Sequence, residues 1–565
     1  MVNGHNHKYW SLVIGHWSLV LMAVCMIQRI RSFVSGKNTV TAAATILVAT
    51  TFVSNVLGLL RDRYFAQKIP TDLLDTYFAA FRLPDLLFNV MILGTVSAAF
   101  IPMFLAEQQR SQQAAWRFTH RAITLSLLVL IGLVILVWIL LPSLIPSLVP
   151  DFSLEKQALT AALGRILLLQ PIFFGLSYLF SGVLNAMKRF VVYAVAPLMY
   201  TASIIVATVL FADDYGVKAL VWGVIVGAFL HMLVQLLTAR AVGFRFILDL
   251  HFKDPAIVKL LRLMAPRALG LGAMQLMLVI FTAIASSLGA GAVAVYSFAD
   301  NIQTMPTAVF GLAFISALYP TLSEAAATEN QSAFSELLWR GVRYLLVILI
   351  PSGIGLILLR SEIVRLILGT GYFGWQATIA THQTLGLFAI SLFAQAIGAL
   401  LARSFYALHD TLTPTLHQLL GYGVSIGLAF WFAPATGLGL GVPGLALAFS
   451  LGSLLTMGLL YWTLRHRVPG LRVGEATVRP LLGKLFVGSV TLIIVVQLVK
   501  AGMAHLVDLD HVWEVLLRTA VAIITGSLSY WIVMAKLGVE EIALIGRIVR
   551  SRFVPAALSM GETNV

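Results

Sequence analysis

Cysteine is all but missing. Cys25 is the only one in 565 residues, so no internal disulfide can form and no thiol redox chemistry is indicated. Charge is scarce as well. Asp, Glu, Lys and Arg make up 11% of the chain, against 59% apolar residues, whereas a soluble domain carries about 25% charged residues. With a mean hydropathy of +0.92, this excludes an ordinary soluble or disordered chain and points to a polytopic membrane protein. No polar stretch is long enough to hold a separate domain, so the extramembrane domain expected of a membrane-bound transferase is absent. Catalytic signatures are missing too. There is no GxxxxGK[ST] loop for a nucleotide, no HExxH for zinc and no GxSxG elbow. The 12 histidines are scattered. His231, His382, His409 and His417 have no second ligand at a suitable spacing and read as structural or interfacial. An enzyme, a metal site and a cofactor are therefore not expected.

What the chain does have is basic charge and long apolar runs. The formal net charge is +14. In a soluble protein that would suggest nucleic acid. Here Lys and Arg sit in short loops, where they set topology and meet anionic headgroups. Fourteen runs are long enough to cross a bilayer of about 20 apolar residues: roughly 39–60, 73–105, 120–142, 159–185, 190–211, 216–240, 257–288, 291–322, 334–359, 377–407, 413–433, 441–464, 480–502 and 512–535. Loops after even-numbered runs carry Arg117, Lys188, Arg245, Arg340 and Arg467. Loops after odd-numbered runs carry acids such as Asp151, Asp213 and Asp508. The positive-inside rule then places the even loops and both ends of the core in the cytoplasm. The first odd loop, with Arg63, Lys68 and Asp72, is a partial exception and reads as a short turn between helices.

Residues 1–37 stand apart. Tyr9–Ile27 holds WSLVIGH followed by WSLV. An extra membrane helix, an uncleaved signal-like segment and an upstream extension before Met26 all remain open readings. Beyond it, an internal repeat is visible. YFAAFRLPDLLFNVMILGTVSAAFIPMFLA (77–106) echoes YSFADNIQTMPTAVFGLAFISALYPTLSE (296–324), and FSGVLNAMKRFVVYAVAP (180–197) echoes ARSFYALHDTLTP (402–414). Both pairs are offset by six runs. An even offset implies lobes of the same orientation, a parallel repeat about the membrane normal. The expected fold is thus an all-α polytopic membrane protein of about fourteen transmembrane helices. It comprises an N-lobe (38–240), a C-lobe (257–464), two extra C-terminal spans (480–536) and a tail (537–565).

Polar residues inside apolar runs are the candidates for function. The first lobe has Asn55, Arg61, Asp62, Asp75, Arg82, Asp85 and Asn89. The second has Arg267, Gln275, Asp300, Asn301 and Gln303. Arg267 follows Pro266 at the cytoplasmic end of its run, where snorkelling and a cavity role both stay open. Within 73–105, Asp75, Arg82, Asp85 and Asn89 are spaced to share one helical face.

In register, VLGLLRDRYFA, TDLLDTYFAAFRLPDLL, AFIPMFLAE, VLNAMKRF, LMAPRALGLGAMQ and ADNIQTMPTAVFGLAFISALYPTLSE resemble the MurJ (MviN) lipid II flippases of the multidrug/oligosaccharidyl-lipid/polysaccharide exporter superfamily. The likeness runs from residue 38 to about 540. It implies transport of a diphosphate-linked peptidoglycan precursor across a bacterial cytoplasmic membrane. It also implies a central cationic cavity from spans 1, 2, 7 and 8 and a groove beside spans 13 and 14 for the lipid tail. By position, Arg61, Asp75 and Arg82 match family residues. Asn55, Phe88, Asn89 and Asn301 stand where well-known members carry basic residues, and Arg267 can restore part of that charge. Arg61, Asp75, Arg82, Arg267, Asn301, Asn55, Asp300 and Asn89 are the expected substrate-binding residues, with membrane lipids and cell-wall synthesis proteins as further partners. Two alternatives stand beside this: an exporter of another undecaprenyl-linked oligosaccharide or of drugs, and a scaffold for cell-wall synthesis that transports nothing.

Overall fold

The computed structural model describes residues 40–542 except 91–99, 188, 469 and 505–510. For 40–48, 190, 193, 263–267, 269 and 473 it describes the backbone alone. The expectations for residues 1–37 and for the tail beyond 542 lie outside the described residues, as does Lys188.

Among the described residues the chain is helical throughout and contains no strand. In hydrocarbon every backbone N–H and C=O must be bonded within its own segment, and a continuous helix does this. In order the helices are α1 (Val40–Lys68), α2 (Thr71–Phe88), α3 (Ile101–Arg110), α4 (Gln112–Leu148), α5 (Leu154–Leu167), α6 (Leu169–Ala186), α7 (Phe190–Tyr215), α8 (Val217–Ala241) and α9 (Pro255–Ser286). Then come α10 (Ala292–Pro306), a π-helical turn (Thr307–Leu312), α11 (Ala313–Ala327), α12 (Gln331–Leu368), α13 (Trp375–Ala389), α14 (Leu392–Ala407), α15 (Leu412–Phe432), α16 (Val442–Arg467), α17 (Leu471–Ala504) and α18 (Val512–Lys536).

The surface suits lipid. Ile135, Leu136, Trp138 and Ile139 of α4 are half exposed, as are Ile494 and Ile524 on the last two helices. In water such a surface would aggregate. Polar caps mark where helices leave the apolar layer. Ser111 accepts from Ala114 N at 3.0 Å, Asn330 from Ala333 N at 3.0 Å and Asp254 from Ala256 N at 2.8 Å, each satisfying an otherwise orphaned donor. In the loop before α15, burial opposes ionisation of Asp410. The Thr413 N–H and hydroxyl and the Arg467 guanidinium outweigh it and hold the carboxyl below its usual range.

Nine helical stretches are long and apolar enough to cross a membrane among the described residues, or ten if α13 and α14, bent by 44° at their junction, form one span. The other four expected spans fall on α1, on α2 with α3, on α9 and on α15. Two further expected spans are continuous but locally irregular. The run 159–185 leaves regular helix at Leu168, and 291–322 passes through the π turn directly after Pro306, a residue with no N–H to offer the helix. One boundary expectation is corrected. The first span does not end near residue 60; α1 continues through RDRYFAQK to Lys68. Arg63 and Lys68 are therefore in α1, and Asp72 is in the first turn of α2, rather than all three in a loop. Arg, Tyr, Phe, Ala, Gln and Lys all sustain a helix, and Pro70 stops it.

The helices before residue 242 pack mainly on one another, with α7 against α1 and α8, and α6 against α8. Those after 255 do likewise, with α15 against α9 and α16, and α13 between α10 and α16. The helices α17 and α18 pair and lean on α12. Links across run through α1 and α2 against α9, α10 and α12, and through α4 against α9. Aromatic edges seal the crossing: Phe78 of α2 meets Phe298 of α10 with ring centroids 5.3 Å apart.

Candidate functional site

Between α1, α2 and α10 lies a cavity of about 220 Å³. The charged residues on its wall are Arg61, Arg82, Asp85 and Asp300, with Asn301 beside them. Arg61 sits where α1 is still inside the bundle. Its Nε and a terminal nitrogen donate to Asp62 Oδ1 at 2.9 and 2.7 Å, and its guanidinium carbon is 5.5 Å from the Phe65 ring centre. Asp62 is almost fully buried, and its second oxygen accepts from Asn301 Nδ2 at 2.9 Å. A guanidinium, a carboxylate and an amide thus tie α1 to α10. A lone buried carboxylate would be costly; paired and hydrogen-bonded it is tolerated.

Arg82 crosses from α2 to two helices. Its Nε donates to Thr282 of α9 at 2.7 Å and a terminal nitrogen to Ser297 of α10 at 3.4 Å. Both partners are neutral hydroxyls, so the charge itself stays available to the cavity. Asp300 accepts from Gln303 Nε2 at 2.9 Å.

The remaining expected site residues lie elsewhere. Asp75 is fully buried above the cavity. It accepts Gly291 N at 2.7 Å and Ala294 N at 2.9 Å, and pairs with Lys156 at 3.1 Å. A carboxylate at the start of α10 meets unbonded amides and the positive end of the helix dipole. Around it the bundle is shut: Lys156 also pairs with Asp72, Lys68 with Asp213 at 2.5 Å, and Arg63 donates to Leu366 O. Tyr372 N bonds Ala66 O at 3.1 Å. Asn89 folds back on its own helix, donating to Asp85 O at 2.8 Å. Asn55 donates to Thr51 O at 2.8 Å and lines a second cavity of about 180 Å³, shared with Ser181 and His231. Arg267 is in α9; its side chain lies outside the described residues. The four polar residues of the second span therefore do not act as one cluster. Arg82 and Asp85 face the cavity, and Asp75 and Asn89 do not.

Other wall residues were not singled out from the sequence. Gln170 of α6, Tyr200 of α7 and Ser297 of α10 line the same space, and Gln170 Oε1 is buried without a hydrogen-bond partner. The wall therefore draws on spans 4 and 5 as well as 1, 2 and 8, while the described part of span 7 contributes Thr282 as a prop. Nor is this described wall simply cationic: two guanidiniums face two carboxylates. Among the described residues no group of three or more His, Cys, Asp or Glu could hold a metal ion.

A family model described as lipid II flippase MurJ matches residues 65–521. The lipid II flippase MurJ of Burkholderia cenocepacia is 30% identical over 434 residues, covering 74% of this chain and 82% of its own. The probable lipid II flippase MurJ of Rickettsia prowazekii is 28% identical over 461 residues, covering 80% and 89%. Among solved structures, a lipid II flippase MurJ in an inward closed conformation superposes with a TM-score of 0.70 at 23% identity, covering 87% of this chain and 99% of that one. An inward-facing MATE multidrug transporter of the MOP superfamily gives 0.64 at 14% identity, covering 76% and 99%. With the family model spanning most of the chain, this multi-span membrane protein belongs to the MurJ lipid II flippase family.

Proposed function

We propose that this protein moves lipid II from the inner to the outer leaflet of a bacterial cytoplasmic membrane by alternating access, without catalysing a covalent step. The observation that carries this reading is the shared cavity. Arg61 and Arg82 come from different helices and face one space that is shut above by the Asp75 contacts. A diphosphate cannot enter hydrocarbon bare, since stripping its water costs tens of kcal/mol by Born reasoning. Arginine stays charged in a low dielectric and binds phosphate oxygens bidentately. In this reading Arg82, with the donors of Arg61 that Asp62 does not occupy, takes the diphosphate while the polyprenyl tail stays in lipid beside the two C-terminal spans.

The moving parts are the two lobes, 38–240 and 257–464, rocking about α1, α2, α9 and α10. The basic loops face the cytoplasm, so the shut end faces outward. A cavity of about 220 Å³ is below the roughly 300–1,000 Å³ of a drug-sized ligand pocket. It grips part of a head group bearing diphosphate, sugars and peptide, and loading the whole requires the lobes to part. Complementation of a strain depleted of its own lipid II flippase tests the reading. Survival, with purified protein delivering lipid II across liposomes, is the expected result. A scaffold without transport would rescue neither assay.

A further inference from the structure

The diphosphate accounts for only half of the charge in the cavity. Two carboxylates, Asp85 and Asp300, face the same space, and a diphosphate gains nothing from either. Arg61 is already matched by Asp62 at 2.7 Å. The hydrogen bonds of Arg82 go to Thr282 and Ser297, and among the described residues no ion pair joins it to Asp85 or Asp300. Among the described residues Asp300 receives one hydrogen bond, from the neutral Gln303. Arg82 is the one guanidinium of the described wall left to offset the two acids, so one carboxylate stays unbalanced. An unbalanced acid facing a polar space inside a membrane protein calls for a cation.

The rest of the wall says which kind. Tyr77, Phe78, Phe81 and Tyr200 line the same cavity. Aromatic faces beside carboxylates suit an alkylammonium, whose N–H groups bond the acids while its charge and methylenes lie on the rings. A small inorganic cation instead calls for a shell of six or more oxygens or retained water. We propose that Asp85 and Asp300, framed by these rings, form a subsite for a primary ammonium group carried by the transported head group. The subsite lies beside the arginines that take the diphosphate. This rests on the lipid II reading and adds a second recognised feature, an amino group on the peptide. The cavity then matches a zwitterionic head group, and a precursor with a blocked amine is a poorer cargo.

The test uses the full chain in liposomes, with lipid II bearing a free side-chain amine or its N-acetylated form. Delivery is read by an external enzyme that cleaves lipid II in the outer leaflet. A charge-assisted contact is worth about tenfold in affinity, so the free amine should be delivered about tenfold faster. Asp85→Asn should bring that ratio close to one, and Asp85→Glu should recover part of it. Equal delivery of both forms by the unmodified protein, or an unchanged ratio in Asp85→Asn, overturns the proposal while leaving lipid II transport standing. A binding arm is independent of transport. In detergent, butylammonium chloride should raise the melting temperature of the unmodified protein more than sodium chloride at equal concentration, and Asp85→Asn should lose the difference. If the two salts act alike, the site is not an ammonium site, whatever the transport result.

Discussion

The carboxylate of Asp75 accepts the backbone N–H of Gly291 at 2.7 Å, across 216 residues of sequence. A second bond to Ala294 N and an ion pair with Lys156 complete its surroundings. Charge-assisted hydrogen bonds contribute roughly 1.5–3 kcal/mol each, and this set joins α2 to both α5 and α10 at the shut end of the bundle. Asp75→Asn removes the charge and points an amide N–H at a backbone donor. The expected outcome is a shift of about tenfold or more toward forms open at this end, read as longer distances between spin labels on α2 and α10. An unchanged distance distribution would show that Asp75 does not hold the closure.

Gly371 gives a steric version of the same test. Its φ is +60°, and a Cβ there would lie 2.2 Å from the Gln67 backbone oxygen. No rotamer relieves a backbone clash, and the left-handed conformation alone costs an L-residue roughly 1–2 kcal/mol. Gly291 has a φ of +84° and carries the same left-handed cost, but its Cβ would approach the Thr71 side chain at 3.0 Å and backbone only at 4.0 Å. The backbone clash should therefore make Gly371→Ala weaken the shut end more than Gly291→Ala. The same spin-label distances rank the two variants, and the reverse order would contradict the geometry.

Asp410 supplies a pH test outside the membrane. Its carboxyl is held below the usual range, so its contribution to stability is fully present above the ordinary carboxylate range. It is lost as pH falls through the depressed value. Asp410→Asn should lower the melting temperature at neutral pH and leave it nearly unchanged at strongly acid pH. Parallel melting curves at all pH values would remove Asp410 from the acid response.

The span pattern was legible because apolar length is a strong signal, and the outline survives in α1 through α18. Arg61, Arg82, Asp300 and Asn301 were legible for a similar reason: a charge or amide in an apolar run has few places to go. The local irregularities were not. The run 159–185 has a proline, Pro171, beyond its irregular point, but no glycine or proline stands at Leu168 itself. Asp75 reads like a cavity residue because its partners Gly291 and Ala294 use backbone amides, which carry no side-chain signature. Gln170 and Tyr200 reach the cavity from ordinary apolar spans, and only packing reveals which face they present. The mixed charge of the wall was hidden likewise, since Asp85 and Asp300 are far apart in sequence.

Orientation follows from loop charge and is checked by labelling. With Cys25 replaced by Ala, single cysteines near Arg117, Arg245, Arg340 and Arg467 should resist a membrane-impermeant thiol reagent in intact cells. One beside Asp213 should react. Labelling at any of the first four sites would break this topology, and labelling at all four with protection beside Asp213 would place the shut end on the cytoplasmic side.

Arg82 is the sharpest test of the cavity. It is a guanidinium whose Nε and terminal nitrogen reach Thr282 and Ser297 on two different helices. Lysine keeps the charge but replaces the planar fork with a single ammonium, so it cannot reproduce both contacts and bind a phosphate bidentately. Alanine removes charge and contacts together. If Arg82 serves the substrate, Arg82→Ala should abolish lipid II delivery with protein levels near normal, and Arg82→Lys should retain part of the rate. If it serves only as a brace between α2, α9 and α10, both variants should lose abundance, and delivery per molecule should stay constant. Hydrogen bonds from a charged donor are worth roughly 1.5–3 kcal/mol each, enough for a pure brace to show in abundance, while the Thr282 and Ser297 hydroxyls keep their own bonds to Leu278 O and Val293 O. Full-rate delivery by Arg82→Ala, or loss only in step with abundance, would remove Arg82 from the substrate site.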